Sequence, residues 1–253
     1  MVPDDISHDW SDRVCAAVGF LTRLPVRMPE DMPLARAVMV FPLVGAGVGF
    51  AGGFGFLVAV WIGLGPWLAA VAAVLVMIAL TGALHEDGLA DVADGFGVHG
   101  PRERKLEVLR DSRIGAFGVI ALVLFLAARI GALTTLADPA TVVMALVAAG
   151  ALSRGCVVVA MRMMVPARAD GLGARAGMPD FQETMAALLV AAAITVVMLL
   201  PFGWISALIL GCGAAFIMAG LCQRTFEGKT GDVLGAVQQT AEVGVLAAAV
   251  AAS

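Results

Sequence analysis

The stretch Pro66-Trp-Leu-Ala-Ala-Val-Ala-Ala-Val-Leu-Val-Met-Ile-Ala-Leu-Thr-Gly-Ala-Leu84 runs directly into His85-Glu86-Asp87-Gly88-Leu89-Ala90-Asp91-Val92-Ala93-Asp94-Gly95. The first part has the length and apolarity of a bilayer-crossing helix, which needs about 20 residues. The second places three aspartates at i, i+4 and i+7. On an α-helix these positions fall within about 60° of one another, so Asp87, Asp91 and Asp94 share one face. Like charges held together repel unless a cation joins them, and carboxylates with waters and substrate phosphates are the usual way to hold Mg²⁺. A greasy span ending in an acidic cluster reads as an integral membrane protein whose chemistry sits at one membrane face.

The rest of the chain agrees. Of its 253 residues 60% are hydrophobic and only 14% charged, whereas a soluble domain is nearer 45–50% apolar. The mean hydropathy is positive. The apolar residues come in blocks of bilayer length, not in the alternating segments of about ten residues that a transmembrane barrel uses. The predicted class is therefore all-α: a polytopic transmembrane bundle forming a single integral membrane domain over 1–253. The N-terminal stretch Met1–Ser11 is polar and acidic and lacks the basic region of a secretory signal. Cys15, Cys156, Cys212 and Cys222 are scattered without metal-ligand or disulfide spacing and read as small core residues. The net charge of −4 carries little information, and no basic stripe or aromatic platform suits a nucleic acid.

Spans are predicted at about 38–62, 66–84, 114–136, 139–165, 182–201, 203–222 and 232–252, seven in all, with Gln238, Gln239 and Glu242 interrupting the last. Residues 12–26, broken by Arg23 and Pro25, suit an interfacial or re-entrant segment. Residues 101–110 open with proline and read as a short surface helix. The first span carries Gly45, Gly47, Gly49, Gly52, Gly53 and Gly55, a composition that permits close helix approach within one chain or between two copies; a homo-oligomer stays open on this ground. Lys and Arg fall in the N-terminal segment, in 102–113, in 162–175 and at Arg224 and Lys229, while the alternate connections carry none. The positive-inside rule puts the basic side, and with it the N-terminus, in the cytoplasm.

Every polar cluster lies on that same side. Asp111-Ser112-Arg113 precedes the third span, Arg168 and Asp170 lie in a glycine-rich loop after the fourth, and Lys229-Thr230-Gly231-Asp232 opens the last. Each has a plain structural alternative: a solvated helix face for the three aspartates, a turn-spanning pair for Asp111 and Arg113, stabilisation of a helix N-terminus for Asp232. His85 is the histidine beside the carboxylates, suited to a base or to phosphate binding. Arg154 lies inside the fourth span, where a charge is costly and faces a cavity or a partner; a phosphate or one of the aspartates would serve. Arg129 is also within a span, with no motif around it. Lys229-Thr230-Gly231 lacks the glycines that would make it a phosphate-binding loop. Carboxylates, arginines and a membrane-face cleft together suggest transfer on a diphosphate, with a metal neutralising phosphate oxygens and the protein supplying position and charge.

The motifs resemble the cobalamin synthase (adenosylcobinamide-GDP ribazoletransferase) family. The strings that carry the likeness are Phe20-Leu-Thr-Arg-Leu-Pro25, Phe41-Pro-Leu-Val-Gly45, Thr81-Gly-Ala-Leu-His85 continuing into Asp87–Gly95, Asp111-Ser-Arg-Ile-Gly-Ala-Phe-Gly118, Ser153-Arg154, Ala167-Arg168 through Gly173, and Thr230-Gly-Asp232-Val-Leu-Gly235-Ala. They cover nearly the whole chain in order. Glu86 stands where an apolar residue is expected. The resemblance implies a multi-pass enzyme of the bacterial inner membrane that joins adenosylcobinamide-GDP to α-ribazole or its 5′-phosphate with release of GMP, Mg²⁺ as cofactor, lipid as surroundings and no nucleic acid. It implies Asp87, Asp91 and Asp94 as metal ligands, Asp111 and Asp232 as ligand or base, Arg113, Arg154 and Arg168 on phosphates, and His85 as a candidate base. Two rivals fit less well. A CDP-alcohol phosphotransferase expects Ala-Arg soon after Asp-Gly, whereas Leu89-Ala90-Asp91 follows here. A cation-coupled transporter expects repeated halves and a midplane site.

Overall fold

A computed structural model describes residues 10–29, 32–200 and 203–253; most of the acidic N-terminal stretch read above lies outside them. Among the described residues the secondary structure is helical, apart from one isolated bridge between Pro166 and Lys229. The helices are α1 (Trp10–Leu21), α2 (Phe41–Trp61), α3 (Pro66–Thr81), α4 (Leu84–Gly97), α5 (Arg102–Val108), α6 (Ala116–Leu136), α7 (Pro139–Met163), α8 (Leu172–Arg175), α9 (Phe181–Leu199), α10 (Trp204–Phe226) and α11 (Gly231–Ala252).

Six of these have the length and apolarity to cross a membrane, seven if the bent pair α3–α4 is counted as one span, at the positions the hydropathy blocks predict. In a bilayer every backbone polar group must be satisfied within the segment, which helices alone achieve here. α1, at 12 residues, is too short to span, in keeping with an interfacial role.

Burial sorts the bundle into centre and rim. The most apolar windows of α7 and α11 are 83% and 72% buried, against 17% for α6 and 22% for α10. Leu75, Leu124, Leu189, Ile209 and Phe216 stand exposed on the rim, a belt that lipid covers. The glycines of α2 act as the sequence suggested: a Cβ on Gly45 would lie 2.1 Å from the carbonyl oxygen of Gly150, so α2 and α7 meet backbone to backbone.

The feature that builds the site is the break between α3 and α4. Gly82 (φ 65°) and Ala83 (φ 60°) are both left-handed, and the chain turns by 91°. Gly82 is required there twice over, because a Cβ would also strike Arg23. α4 thus leaves the direction of the span and runs across the end of the bundle, over the N-terminus of α11 and beside α6. At Gly88 the two helices come so close that a Cβ would sit 2.8 Å from the backbone of Asp232.

Candidate active site

The crossing at Gly88 decides which acids meet. Asp87, Asp91, Asp111 and Asp232 line one open cleft, with Arg110 and Ser112 on its rim. Asp232 sits in the first turn of α11, whose N-cap is Thr230: the Thr230 hydroxyl accepts from Val233 N at 3.2 Å and donates to Asp232 Oδ2 at 3.0 Å. The Arg168 guanidinium lies 3.7 Å from the same oxygen. Arg168 is held there by a laced loop. Lys229 N donates to Val165 O and Ala167 N to Lys229 O, while the buried Lys229 ammonium donates to the carbonyls of Met161 and Gly177. Arg102 adds bonds to the carbonyls of Phe226, at 2.8 Å, and Ala167. Three segments far apart in sequence, 97–113, 164–180 and 226–232, are thereby drawn to one end of the bundle. Lys229, part of a polar string in the sequence, is spent on holding this loop.

Two of the residues expected in the site are otherwise engaged. Asp94 is turned to the start of α6: one carboxylate oxygen accepts from Gly115 N at 2.7 Å and the other from Gly118 N at 2.8 Å. It caps that helix from outside, where the positive end of the helix favours it, and both of its oxygens are engaged there. Arg154, expected on phosphate, is only 2% exposed. It donates to Glu242 and to Ser153 Oγ, each at 3.1 Å, so its partner in this structure is a carboxylate inside the bundle.

Arg113 and Asp111 form an exposed pair at 2.6 Å. Hydrogen bonds from the Arg113 side chain and backbone hold the Asp111 carboxyl down at about 2. Asp111 faces the cleft, whereas the Arg113 side chain reaches into solvent. His85 is buried and lines a second, inner cavity that adjoins the acidic cleft at Asp87 and Asp232.

The donor set suits a divalent cation that completes its shell with water and substrate. Burial, and then the charges of Asp232, Asp87 and Asp94, push the Asp91 carboxyl up to about 7, the signature of acids crowded without a counter-charge. Among the described residues no three His, Cys, Asp or Glu side chains close on a single point. The arrangement is not an all-protein cage; it fits a cation held by one or two carboxylates together with oxygens of water and substrate.

Beneath the cleft lies a group of residues whose role sequence reasoning missed. Glu86 and Arg129 pair at 2.7 Å, Arg129 and Glu242 at 2.9 Å, and Arg154 and Glu242 at 3.1 Å. Gln238 donates to Glu242 at 2.6 Å and to Ser153 Oγ at 3.1 Å, and Gln239 donates to Glu86 at 3.1 Å. All are buried. The signal was present: Glu86 at an apolar position, Arg129 without a motif and three polar residues in the last span are members of one network.

The family model for cobalamin-5-phosphate synthase matches residues 13–250. The chain belongs to that family. The chain is also similar to the adenosylcobinamide-GDP ribazoletransferase of Bradyrhizobium diazoefficiens, 43% identical over 93% of this chain and 92% of its own. Those of Azorhizobium caulinodans, 41% identical over 92% and 93%, and Mesorhizobium japonicum, 44% identical over 93% and 91%, bear the same description. No solved structure matches the chain.

Proposed function

We propose that this protein is an adenosylcobinamide-GDP ribazoletransferase: it joins adenosylcobinamide-GDP to α-ribazole, or the 5′-phosphate, and releases GMP. The observation that carries the chemistry is the convergence of Asp87, Asp91, Asp111 and Asp232 from three separate segments on one cleft at the end of a membrane bundle. The full-length likeness to relatives of that description supports the substrates.

Asp87 and Asp91, with Asp232 or Asp111, are the residues that would hold Mg²⁺. When bound, the ion would neutralise the diphosphate oxygens and ease departure of the nucleotide. The ribazole hydroxyl attacks the phosphorus nearer the cobinamide; the new O–P bond forms as the bridging P–O bond breaks, and the electron pair leaves with GMP. Asp232, at the meeting of the cleft and the inner cavity, accepts the hydroxyl proton. Arg168 beside it meets phosphate charge, and Arg113 is exposed enough to swing from Asp111 to an incoming phosphate. Arg110, bound at 2.7 Å to both oxygens of Asp170, ties α5 to the Arg168 loop. Catalysis is then chiefly positioning and charge stabilisation.

The clustering of Lys and Arg in alternate connections supports a cleft, and an N-terminus, on the cytoplasmic face of the inner membrane. The test is purified protein in lipid with adenosylcobinamide-GDP, α-ribazole and Mg²⁺, assayed for GMP. Release of GMP that needs both organic substrates and stops with chelator is expected. Asp91→Asn should abolish it without loss of membrane insertion, and retained turnover would refute the metal assignment.

A further inference from the structure

The inner cavity beside the acidic cleft has features that the metal chemistry does not use. Its walls are Phe20 and Leu21 from α1, Leu84 from α4, and Val157 and Met161 from α7. Phe20 is backed by Phe41, ring centroids 5.9 Å apart and nearly parallel, which makes a firm aromatic wall. The cavity is small, about 110 Å³ against the roughly 300–1,000 Å³ of pockets that take drug-sized ligands, which restricts it to a fragment of one substrate. Asp87 and Asp232 line both this cavity and the acidic cleft, so the two meet at these carboxylates, an apolar inner half and an acidic outer half.

One polar side chain faces the apolar half. His85 is 5% exposed and lines the cavity, and no hydrogen bond joins its ring to another described residue. A buried polar group without a partner costs free energy unless a ligand supplies one.

We infer that this cavity is the binding site for the heterocyclic base of the attacking ribazole, with His85 meeting the base's one unsubstituted ring nitrogen. The inference rests on the function proposed above. A benzimidazole riboside has an apolar, flat, methylated base with a single free ring nitrogen, joined by one bond to a hydroxylated sugar. Seated with its base among Phe20, Leu84, Val157 and Met161, it leaves the sugar at the junction, beside Asp232. The guanine of the other substrate carries several donors and acceptors, and most would be stranded among the apolar walls, where His85 is the polar side chain away from the two carboxylates at the mouth. The corrinoid is far too large for it. The cavity therefore distinguishes the acceptor from the donor substrate and orders them about Asp232.

The test uses the full chain in lipid and two kinds of measurement. In steady state, Met161→Phe and Val157→Phe, which fill the cavity, should raise the KM for α-ribazole by about tenfold or more. They should leave the KM for adenosylcobinamide-GDP, and kcat at saturating ribazole, within about twofold. In equilibrium dialysis without metal or the second substrate, α-ribazole should bind wild-type protein and be displaced by other benzimidazole ribosides but not by guanosine. Met161→Ala, a milder change for use where the larger side chain prevents folding, should weaken that binding in the same assay. An unchanged ribazole KM in a folded, filled variant overturns the inference, as do an equal rise in both KM values and displacement by guanosine. Absence of GMP release from the wild type would instead overturn the function proposed above.

Discussion

The buried network offers the sharpest test of how the bundle is held. Glu242 is its hub: it faces Arg129 at 2.9 Å, Arg154 at 3.1 Å and the Gln238 amide at 2.6 Å. Two arginines and two glutamates balance, and removing any one leaves an excess charge in a membrane interior. In Glu242→Leu, Arg129 keeps Glu86 at 2.7 Å, but Arg154 is left with only Ser153 Oγ as a side-chain partner, and its Nε already lacks one. Breaking a buried pair costs about 3–5 kcal/mol. The unfolded chain in a membrane also finds partners for its polar groups, so we expect the lower end, about 3 kcal/mol. That is about a hundredfold in the folded-to-unfolded ratio. The double variant Glu242→Leu with Arg154→Leu leaves the Glu86–Arg129 pair intact and balanced, and should return to within about 1 kcal/mol of wild type. Unfolding by SDS in mixed micelles, followed by tryptophan fluorescence, gives the midpoints. A double variant no more stable than the single, or a single variant that loses less than about 1 kcal/mol, would show that the charges are not coupled as the geometry says.

Three further outcomes are expected. Asp94→Ala should cost about 1 kcal/mol through loss of the α6 cap and leave the Mg²⁺ concentration for half-maximal activity unchanged, whereas Asp91→Asn should abolish activity outright; a metal requirement raised by Asp94→Ala would restore Asp94 to the metal. Gly45→Ala should destabilise by about 1–3 kcal/mol, because its Cβ meets the Gly150 carbonyl at 2.1 Å, while Gly47→Ala, with open space around it, should be neutral or slightly stabilising in the same SDS titration. Metal-free protein should lose thermal stability as pH rises from about 4 to about 7 and level off above, since Asp91 at about 7 holds a proton in the folded state that an unfolded aspartate near 3.9 releases; the slope should be absent in Asp91→Asn, and a melt showing the opposite slope would refute it.

How far the sequence could be read differs between fold and site, for a physical reason. Spans are set by composition over some 20 residues, a property that survives ignorance of every neighbour, so Val38–Trp61, Ala116–Leu136, Pro139–Met163 and Gly231–Ala252 fall where the hydropathy blocks put them. The convergence of Asp87, Asp91, Asp111 and Asp232 was legible because all lie at one end of the predicted spans. Which of the i, i+4, i+7 aspartates faces the cleft was not. Helical periodicity gives Asp87, Asp91 and Asp94 a common face, but whether that face meets open space or the start of another helix depends on where α6 begins in three dimensions. Asp94 differs from Asp91 only in having Gly115 and Gly118 in front of it.

Arg154 illustrates the same limit with an opposite lesson. A lone charge in a span demands a partner, and the acidic cluster was the obvious one; the true partner, Glu242, lies 88 residues away in the span whose polar residues seemed its weakness. Glu86 then explains why this network sits where it does. It lies in α4 next to Asp87 and borders the same cleft, yet its carboxylate is paired with Arg129 inside the bundle. The helix that carries the cleft-facing acids is thus pinned from below by an ion-pair network running into α6, α7 and α11. An apolar residue at 86 would bury as well but would fix neither the rotation nor the depth of α4. If Glu86 sets that register, Glu86→Leu combined with Arg129→Leu, which removes the pair in balance and leaves Arg154–Glu242 intact, should preserve folding yet raise the Mg²⁺ requirement several-fold. An unchanged Mg²⁺ requirement would reduce the pair to a means of burying two charges.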